Sequence, residues 1–326
     1  MPLISAGLFY ILMIAFSALA IGSSIRLISL SRSTTKFTGQ EASVRRSSLL
    51  VWWILMFVFA AALILGRGGL ATLFCVASLL ALHEFHELFR RRSLDAPTLR
   101  WTLGLIAVGH YFILAVSDTV WSLWAFPVVT LMVVTTVAIA TGRSKDYLRT
   151  TAGYYWASLL IVFGVSHAVL TTRLPLADGI WSAGMVGWCV FLVMLTELND
   201  IAQALIGRIF GRHKVTPVFS PGKTWEGLAG GFLVTTLLAL ATAPWLTTLT
   251  LGRATWQGVL ISIGAGTVIS LGGFLGDVNM SGLKREAGVK DSGSLLPGMG
   301  GVIDRIDSLT ISAPAFYYYV LAVSSL

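Results

Sequence analysis

The sequence has few charged residues and very little cysteine. Only 12% of its 326 residues are Asp, Glu, Lys or Arg, whereas about a quarter of an ordinary soluble domain is charged. This scarcity argues against a water-soluble globular protein. The two cysteines, Cys75 and Cys189, lie in apolar runs, and we interpret them as small core residues, with neither a disulfide framework nor a metal cluster.

Long apolar runs fill most of the chain, which is 56% hydrophobic. A helix needs roughly 20 apolar residues to cross a bilayer core of about 30 Å. The sequence therefore predicts an all-α polytopic membrane protein with nine to ten transmembrane helices. The ten runs lie at approximately 6–26, 49–66, 69–88, 101–117, 119–141, 152–171, 179–206, 225–250, 256–277 and 308–325.

Basic residues are distributed unequally between the two sets of loops. If the ends of runs 1, 3, 5, 7 and 9 are cytoplasmic, only Arg67, Arg173 and Arg253 of the 23 basic residues face the other side. Lys and Arg stay preferentially in the cytoplasm, so both termini are expected outside. The first run lacks a preceding basic segment and has Arg26 after it, which favours a retained anchor over a cleaved signal peptide.

The net charge of +8 follows largely from this topology, with attraction to anionic lipid headgroups as a second effect. No basic face interleaved with aromatic residues is visible, and we expect no nucleic-acid partner. Nearly every polar cluster follows residue 176. We therefore divide the chain into a helical scaffold, 1–176, and a catalytic region, 177–326, with cytoplasmic loops at 207–224 and 278–307.

The segment "SGLKREAGVKDSGSLLPGMGGVIDRIDS", residues 281–308, places eight charged side chains in 28 residues. If run 9 continues as a helix, Asp277, Ser281, Lys284 and Arg285 share one face. Glycines that follow permit backbone N–H groups to approach a ligand closely. Asp304 then lies three residues before Asp307 in "DRID", so that on a helix both would face the same way.

Carboxylates, cations and accessible backbone amides together suit a metal-bound polyphosphate. Mg²⁺ takes hard oxygen ligands, usually one or two carboxylates and the phosphates of the substrate, while Lys and Arg neutralise the remaining phosphate charge. The alternative is that Asp304 or Asp307 caps run 10 and that the cations only mark topology.

A second cluster, "ELNDIAQALIG", ends run 7 and contains Glu197, Asp200 and Gln203. Charges inside a membrane normally face the bundle interior or a wet cavity, so this cluster indicates a polar cavity; a structural hydrogen-bond network is the alternative. The loop Gly207–Gly227 contains "PGKT", but Pro217 stands where a P-loop requires glycine. We expect a turn at Pro221 and Gly222 here.

Lys223, at the start of run 8, is a candidate phosphate contact, and Glu226 is expected to complement the helix dipole. "HEFHE" at 83–87 lacks the spacing of a zinc site, and helix packing is the favoured role. His110 and His167, alone in apolar runs, are expected to be hydrogen-bonded core histidines.

Residues 281–308 resemble the signature of phosphatidate cytidylyltransferases (CDP-diacylglycerol synthases), S-x-x-K-R-x-x-x-x-K-D-x-x-x-x-x-P-G-H-G-G-x-x-D-R-x-D. "GD" at Gly276 and Asp277 and "SPGKTWEG" at Ser220–Gly227 also resemble the family, and the likeness is specific over about 195–310. Two departures are Met299, where the family has His, and "NDIAQ", which is similar to a divergent bacterial branch. A thioether neither titrates nor donates a strong hydrogen bond.

The resemblance implies that CTP and phosphatidate, or a related lipid phosphate, give CDP-diacylglycerol and pyrophosphate at a bacterial inner membrane, with the site facing the cytoplasm. It implies Mg²⁺, alone or with a second cation, on Asp277, Asp304 and Asp307. Other implied catalytic residues are Lys284, Arg285, Lys290 and Asp291. The implied substrate contacts are Asp200, Lys223, Ser281, Arg305, Gly300 and Gly301.

Three further questions stay open at this point. A relative acting on another lipid phosphate and a transporter for an anionic substrate are alternative functions. Transport sites cluster near the bilayer midplane, whereas these charges are predicted to gather at one face. A homodimer is one possible assembly.

Overall fold

The computed structural model of the protein describes residues 6–32, 39–119, 121–142, 144–176 and 183–324. These residues form long helices and one small hairpin. The helices are α1 (Ala6–Arg32), α2 (Gly39–Ile64), α3 (Gly66–Arg91), α4 (Pro97–Val116), α5 (Trp121–Ala140), α6 (Tyr147–Ala157), α7 (Val165–Leu170), α8 (Gly187–Phe210), α9 (Trp225–Leu246), α10 (Thr255–Glu286), α11 (Ile303–Ile306) and α12 (Leu309–Ser324).

Ten helical segments in the described ranges are long and apolar enough to cross a membrane. The predicted fold class, an all-α polytopic membrane protein, is therefore confirmed. The predicted start of run 7, residue 179, lies outside the described residues. Both cysteines are free in the part of the chain that the structure describes, in agreement with the sequence.

The sixth span changes helix type along its length. A π-helical turn, Ser158–Gly164, links α6 to α7, and a 3₁₀ turn, Thr171–Arg173, follows. Side chains from other helices bond to the carbonyl groups of this turn: Ser78 Oγ donates to Ile161 O at 2.7 Å and Tyr111 OH to Val162 O at 3.3 Å. A π turn leaves carbonyl groups without their usual helical partner, and these hydroxyls satisfy them.

The loop predicted at 207–224 is largely structured. After α8 ends, strand β1 (Lys214–Thr216) pairs antiparallel with β2 (Ser220–Thr224). The predicted turn at Pro221 and Gly222 is wrong, because both residues lie in β2 and the chain reverses at 217–219. Thr224 caps α9 by accepting a hydrogen bond from Gly227 N at 3.1 Å.

The loop predicted at 278–307 is also shorter than expected. Helix α10 continues to Glu286, and α11 begins at Ile303. The continuation of run 9 as a helix is thus confirmed. Polar residues in this extension have partners inside the protein. A prediction based on the length of an apolar run therefore ends the helix too early.

Glycines allow the helices of the C-terminal half to approach closely. A side chain at Gly272 of α10 would lie 2.7 Å from the Cα atom of Ser312 in α12, and one at Gly276 would overlap the carbonyl oxygen of Asp307. Small residues at helix interfaces permit such backbone approach in membranes. The consequence is that Asp277, the next residue of α10, lies beside the start of α12.

The three arginines predicted on one side of the membrane, Arg67, Arg173 and Arg253, all lie at one end of the helix bundle. Arg67 at the start of α3 pairs with Asp118 after α4, and Arg173 donates to carbonyl groups at 114–119. Arg253 donates to Val323 O at 2.7 Å. The polar clusters lie at the opposite helix ends.

Candidate functional site

Two lysine–aspartate pairs form the centre of the polar cluster. Lys223 of β2 lies with its Nζ 2.6 Å from Asp277 Oδ2 of α10. Lys284, two turns further along α10, lies with its Nζ 2.7 Å from Asp304 Oδ1 of α11. The side chains of this second pair are only 10% and 8% exposed. Their mutual attraction therefore offsets part of the cost of removing both charges from water.

Lys223 is held in place by α8 as well as α10. Its ammonium group also donates to Gln203 Oε1 at 3.2 Å. Burial lowers the pKa of Lys223, but the nearby carboxylates of Asp277 and Asp200 outweigh that effect and leave the pKa above its ordinary value. The group therefore stays cationic at neutral pH.

Three carboxylates lie near this ammonium. The charges of Asp277 and Asp200 act on Asp307, and the charge of Lys284 acts on it with the opposite sign. Ser308 Oγ donates to Asp200 Oδ2, while the buried Asp200 Oδ1 has no hydrogen-bond partner. A buried carboxylate oxygen without a donor is a free acceptor for a cation or a protonated group.

Asp304 and Asp307 have different hydrogen-bond partners. Its Oδ2 accepts from Ser292 N at 3.0 Å, Ser292 Oγ at 3.1 Å and Gly301 N at 2.9 Å, and its Oδ1 accepts from Lys284. The charge of Lys284 acts on Asp307 as well, and the expectation that Asp304 and Asp307 face the same way stays a prediction. Asp304 organises the loop 287–302, because each of its oxygens already has a protein donor.

The backbone amide of Gly301 was predicted to contact substrate, and here it bonds to Asp304 instead. Gly300 has a φ of +85° and Gly298 a φ of +76°, a region that L side chains rarely adopt. Met299 lies between them, and its N donates to Leu296 O at 2.9 Å. The loop is thus a tight turn that requires glycine on both sides of the methionine.

Of the other predicted site residues, one joins the polar cluster and three are exposed. Ser281 Oγ donates to Asp277 Oδ1 at 3.3 Å, so it joins the cluster. Arg285, by contrast, is exposed and donates to Phe219 O and Val289 O, which corrects the expectation that it shares the face of Lys284. Lys290 and Asp291 are exposed on the loop.

Arg305 and Glu197 are close enough for their charges to interact. The buried Nε of Arg305 has no hydrogen-bond partner. Its charge also acts on Asp200. Arg305 therefore lies beside the two carboxylates of α8, Glu197 and Asp200. Its contact with a substrate phosphate stays a prediction.

Part of the α8 cluster is structural. Asn199 Oδ1 accepts from Thr235 Oγ1 of α9 at 3.1 Å and from Ser270 Oγ of α10 at 2.8 Å. This amide joins three helices one residue before Asp200. The structural alternative thus holds for Asn199, and the polar cavity at Glu197, Asp200 and Gln203 stays a prediction.

Glu226 was expected to complement the dipole of α9. It also accepts from Arg212 N at 3.0 Å and from His213 Nδ1 at 2.6 Å. The two predicted core histidines are buried and hydrogen-bonded: His110 Nε2 pairs with Ser166 Oγ at 2.9 Å and His167 Nδ1 with Phe163 O at 2.7 Å. The second nitrogen of His167 has no partner.

Sequence reasoning missed Glu84, Ser292 and Ser308. Glu84 lies in "HEFHE" on α3, where helix packing was the expected role, and its neighbour His86 does pack there, with Nδ1 2.6 Å from Tyr154 OH. Glu84 itself bonds to the loop before α11. The available signal was a carboxylate inside an apolar run, which normally faces the bundle interior.

Comparison with known proteins identifies the family. The model of the cytidylyltransferase family matches residues 46–323. An Escherichia coli protein described as the uncharacterized protein YnbB is 38% identical over 282 residues, which cover 86% of this chain and 88% of that protein.

Two relatives are named phosphatidate cytidylyltransferase. The one from Haemophilus influenzae is 40% identical over 134 residues, which cover 41% of this chain and 46% of that protein. The one from Mycobacterium bovis is 27% identical over 283 residues, which cover 83% of this chain and 86% of that protein. Because the family model matches most of the chain, this multi-pass membrane protein belongs to the cytidylyltransferase family and is a nucleotidyltransferase enzyme.

Proposed function

We propose that this enzyme condenses CTP with a membrane lipid phosphate, phosphatidate or a close relative, to give CDP-diacylglycerol and pyrophosphate. The observation that carries the proposal is the pair of lysine–carboxylate links, Lys223–Asp277 and Lys284–Asp304, at one end of the helix bundle. Relatives named phosphatidate cytidylyltransferase support the choice of lipid. Following the distribution of basic residues, we place this end on the cytoplasmic side of a bacterial inner membrane.

The reaction needs little from a general base. An oxygen of the lipid phosphate, already anionic near pH 7, attacks the α-phosphorus of CTP; the new O–P bond forms as the bond to the β-phosphate oxygen breaks, and pyrophosphate leaves. Catalysis then depends on positioning and on neutralising the charge of the leaving group. Lys284, which is buried, and Lys223, which is half-buried, are cations suited to that task.

Asp277 and Asp307, with Asp200 beside them, are the residues that would hold Mg²⁺. The unpartnered oxygen of Asp200 and the proximity of the three charges fit a divalent cation. Within the described ranges no group of three or more acidic, His or Cys side chains is arranged as a ready metal site. This arrangement suits an ion that takes one or two carboxylates and fills its shell with phosphate oxygens and water; when bound, it would neutralise developing phosphate charge.

The lipid substrate can reach the cluster from the side. Ile201 and Leu205 of α8 are 53% and 55% exposed, and Ile201 directly follows Asp200. Apolar side chains that face outward in a membrane helix contact acyl chains. A headgroup could therefore approach the carboxylates while its acyl chains remain in the bilayer.

Incubating the purified enzyme with labelled CTP, Mg²⁺ and a panel of lipid phosphates tests this function. We expect a product with the mass of CDP-diacylglycerol from phosphatidate, and one pyrophosphate per product. A different lipid phosphate that reacts faster would change the substrate but not the reaction. If folded enzyme turns over none of the lipid phosphates, the proposal is wrong.

Replacing Met299 by His is expected to change kcat/KM by less than about threefold. The residue contributes a backbone turn between two glycines, and the anionic nucleophile needs no proton acceptor there. The measurement is a pH–rate profile of Met299→His beside Met299→Leu. A new inflection near pH 6.5, the ordinary pKa of histidine, with a rate gain of tenfold or more would contradict this expectation.

A further inference from the structure

Glu84 links the first half of the chain to the loop that carries the lysine–carboxylate pairs. It lies near the end of α3 and is only 3% exposed. Its Oε1 accepts from Val302 N at 2.8 Å, and its Oε2 accepts from Ile303 N at 3.0 Å and Ser292 Oγ at 2.9 Å. These three partners are N–H and O–H donors and not cations.

These contacts determine where α11 begins. The N–H groups at the start of a helix have no partner within the helix, and in a buried position each must find an acceptor. Glu84 supplies that acceptor for Val302 and Ile303. The start of the segment that carries Asp304 is therefore attached to α3.

Ser292 extends the link to the candidate site. Its hydroxyl lies 2.9 Å from Glu84 Oε2 and 3.1 Å from Asp304 Oδ2. One hydroxyl proton thus serves two carboxylates, and Asp304 in turn pairs with Lys284 at 2.7 Å. A continuous series of polar contacts joins α3 to the buried lysine.

The loop is shaped around the Glu84 carboxylate. A side chain at Gly293 would lie 2.7 Å from Glu84 Oε1, and one at Gly301 would overlap both carboxylate oxygens. The two glycines therefore leave the space that Glu84 occupies. Because side chains larger than glycine are excluded on both sides of the carboxylate, close packing fixes the position of Glu84 against the loop.

We propose that Glu84 is a positioning residue for the nucleotidyltransfer reaction: through Ser292 and the start of α11 it holds Asp304, and with it Lys284, in the reactive arrangement. The effect on turnover rests on the proposed function. The effect on the loop does not, because it follows from hydrogen bonds alone.

The test compares Glu84→Gln, Ser292→Ala and the double variant, with Glu87→Gln as the control. Glutamine keeps the size of Glu84 but places an N–H₂ group against a backbone donor, which leaves a buried donor unpaired. Glu87, on the same helix, pairs with the exposed Arg90 at 2.7 Å. Hydrogen exchange of the peptide spanning 287–303 is measured in lipid nanodiscs, together with kcat and KM for CTP and lipid.

We expect each single variant to lower kcat by about tenfold or more and to speed amide exchange across 287–303 without changing exchange in α3. Both side chains act on Asp304 through their shared hydrogen bond. The kcat of the double variant should therefore lie within about twofold of the kcat of the slower single variant. Glu87→Gln should match the unmodified enzyme. Ser292→Ala keeps the test usable if Glu84→Gln fails to fold, since Ser292 lies on the loop and not on a long helix.

Two results would overturn the proposal. One is unchanged exchange across 287–303 in both single variants. The other is multiplicative losses in the double variant, which would show that the residues act separately. If the unmodified enzyme turns over no lipid phosphate, the proposed function fails, while the exchange data still decide whether Glu84 positions the loop.

Discussion

Asp277→Asn is expected to lower the rate of pyrophosphate release from CTP by about 10²–10³-fold. The change keeps the shape of the side chain but removes its charge, and Lys223 loses the carboxylate that lies 2.6 Å away. Removing one preorganised electrostatic contact to developing charge lowers kcat by about 10²–10³-fold, and Asp277 is proposed both to hold the metal ion and to position Lys223. The measurement is Mg²⁺-dependent pyrophosphate release with phosphatidate as the acceptor.

Asp118→Asn provides the matched control. Asp118 also pairs with a cation, Arg67, but at the opposite end of the bundle, so its replacement should leave turnover within about twofold. Both variants should elute as folded monodisperse protein. Near-normal turnover of Asp277→Asn would remove this carboxylate from the proposed site and would make the Lys223–Asp277 pair a structural contact.

The membrane fold was largely predictable because it depends on composition. Runs of apolar residues predict spanning helices, since a bilayer leaves backbone groups no partner other than the helix itself. The ends of spans were less predictable. Helix α10 extends nine residues past the predicted end at residue 277 because Ser281 and Lys284 find polar partners in the bundle.

Features that depend on contacts between distant segments were not predictable from local sequence. The π turn at Ser158–Gly164 is stabilised by the hydroxyl groups of Ser78 and Tyr111, which belong to other helices. The β1–β2 hairpin has strands of three and five residues, too short for a period-two pattern to stand out.

The candidate site shows the same division. Spacing along α10 correctly grouped Asp277, Ser281 and Lys284, because residues four and seven apart share a face of a helix. Spacing could not show that Asp304 and Asp307 have separate hydrogen-bond partners, because α11 ends between them. Glu84 could not be assigned because its partners are more than 200 residues away in sequence.

This long-range contact also bears on the division of the chain at residue 176. Glu84 of the predicted scaffold bonds to the loop of the predicted catalytic region, and a side chain at Gly298 would lie 2.6 Å from Val44 O of α2. Helices of the first half therefore support the loop directly. The separate roles assigned to 1–176 and 177–326 stay a prediction, and truncating the first half should leave the loop without its acceptors.

Lys284→Met is expected to abolish measurable cytidylyl transfer, with a loss of at least about 10³-fold. Methionine keeps most of the length of this side chain, which is 10% exposed, and removes the ammonium group, which lies 2.7 Å from Asp304 Oδ1. The loss combines two effects: a phosphate-neutralising cation disappears, and Asp304 keeps a buried charge that only neutral donors then stabilise. Thermal stability in detergent should fall as well, because the uncompensated carboxylate is part of the folded state.

Two further variants separate these effects. Arg149→Met removes an exposed partner of Glu286 at the same end of the bundle, and exposed pairs contribute about 0–1 kcal/mol, so activity and stability should stay near those of the unmodified enzyme. The double variant Lys284→Met, Asp304→Asn removes both charges and should recover stability without recovering turnover. Recovered turnover in the double variant would show that Lys284 only neutralises Asp304, and the assignment of this lysine to substrate phosphate would then be wrong.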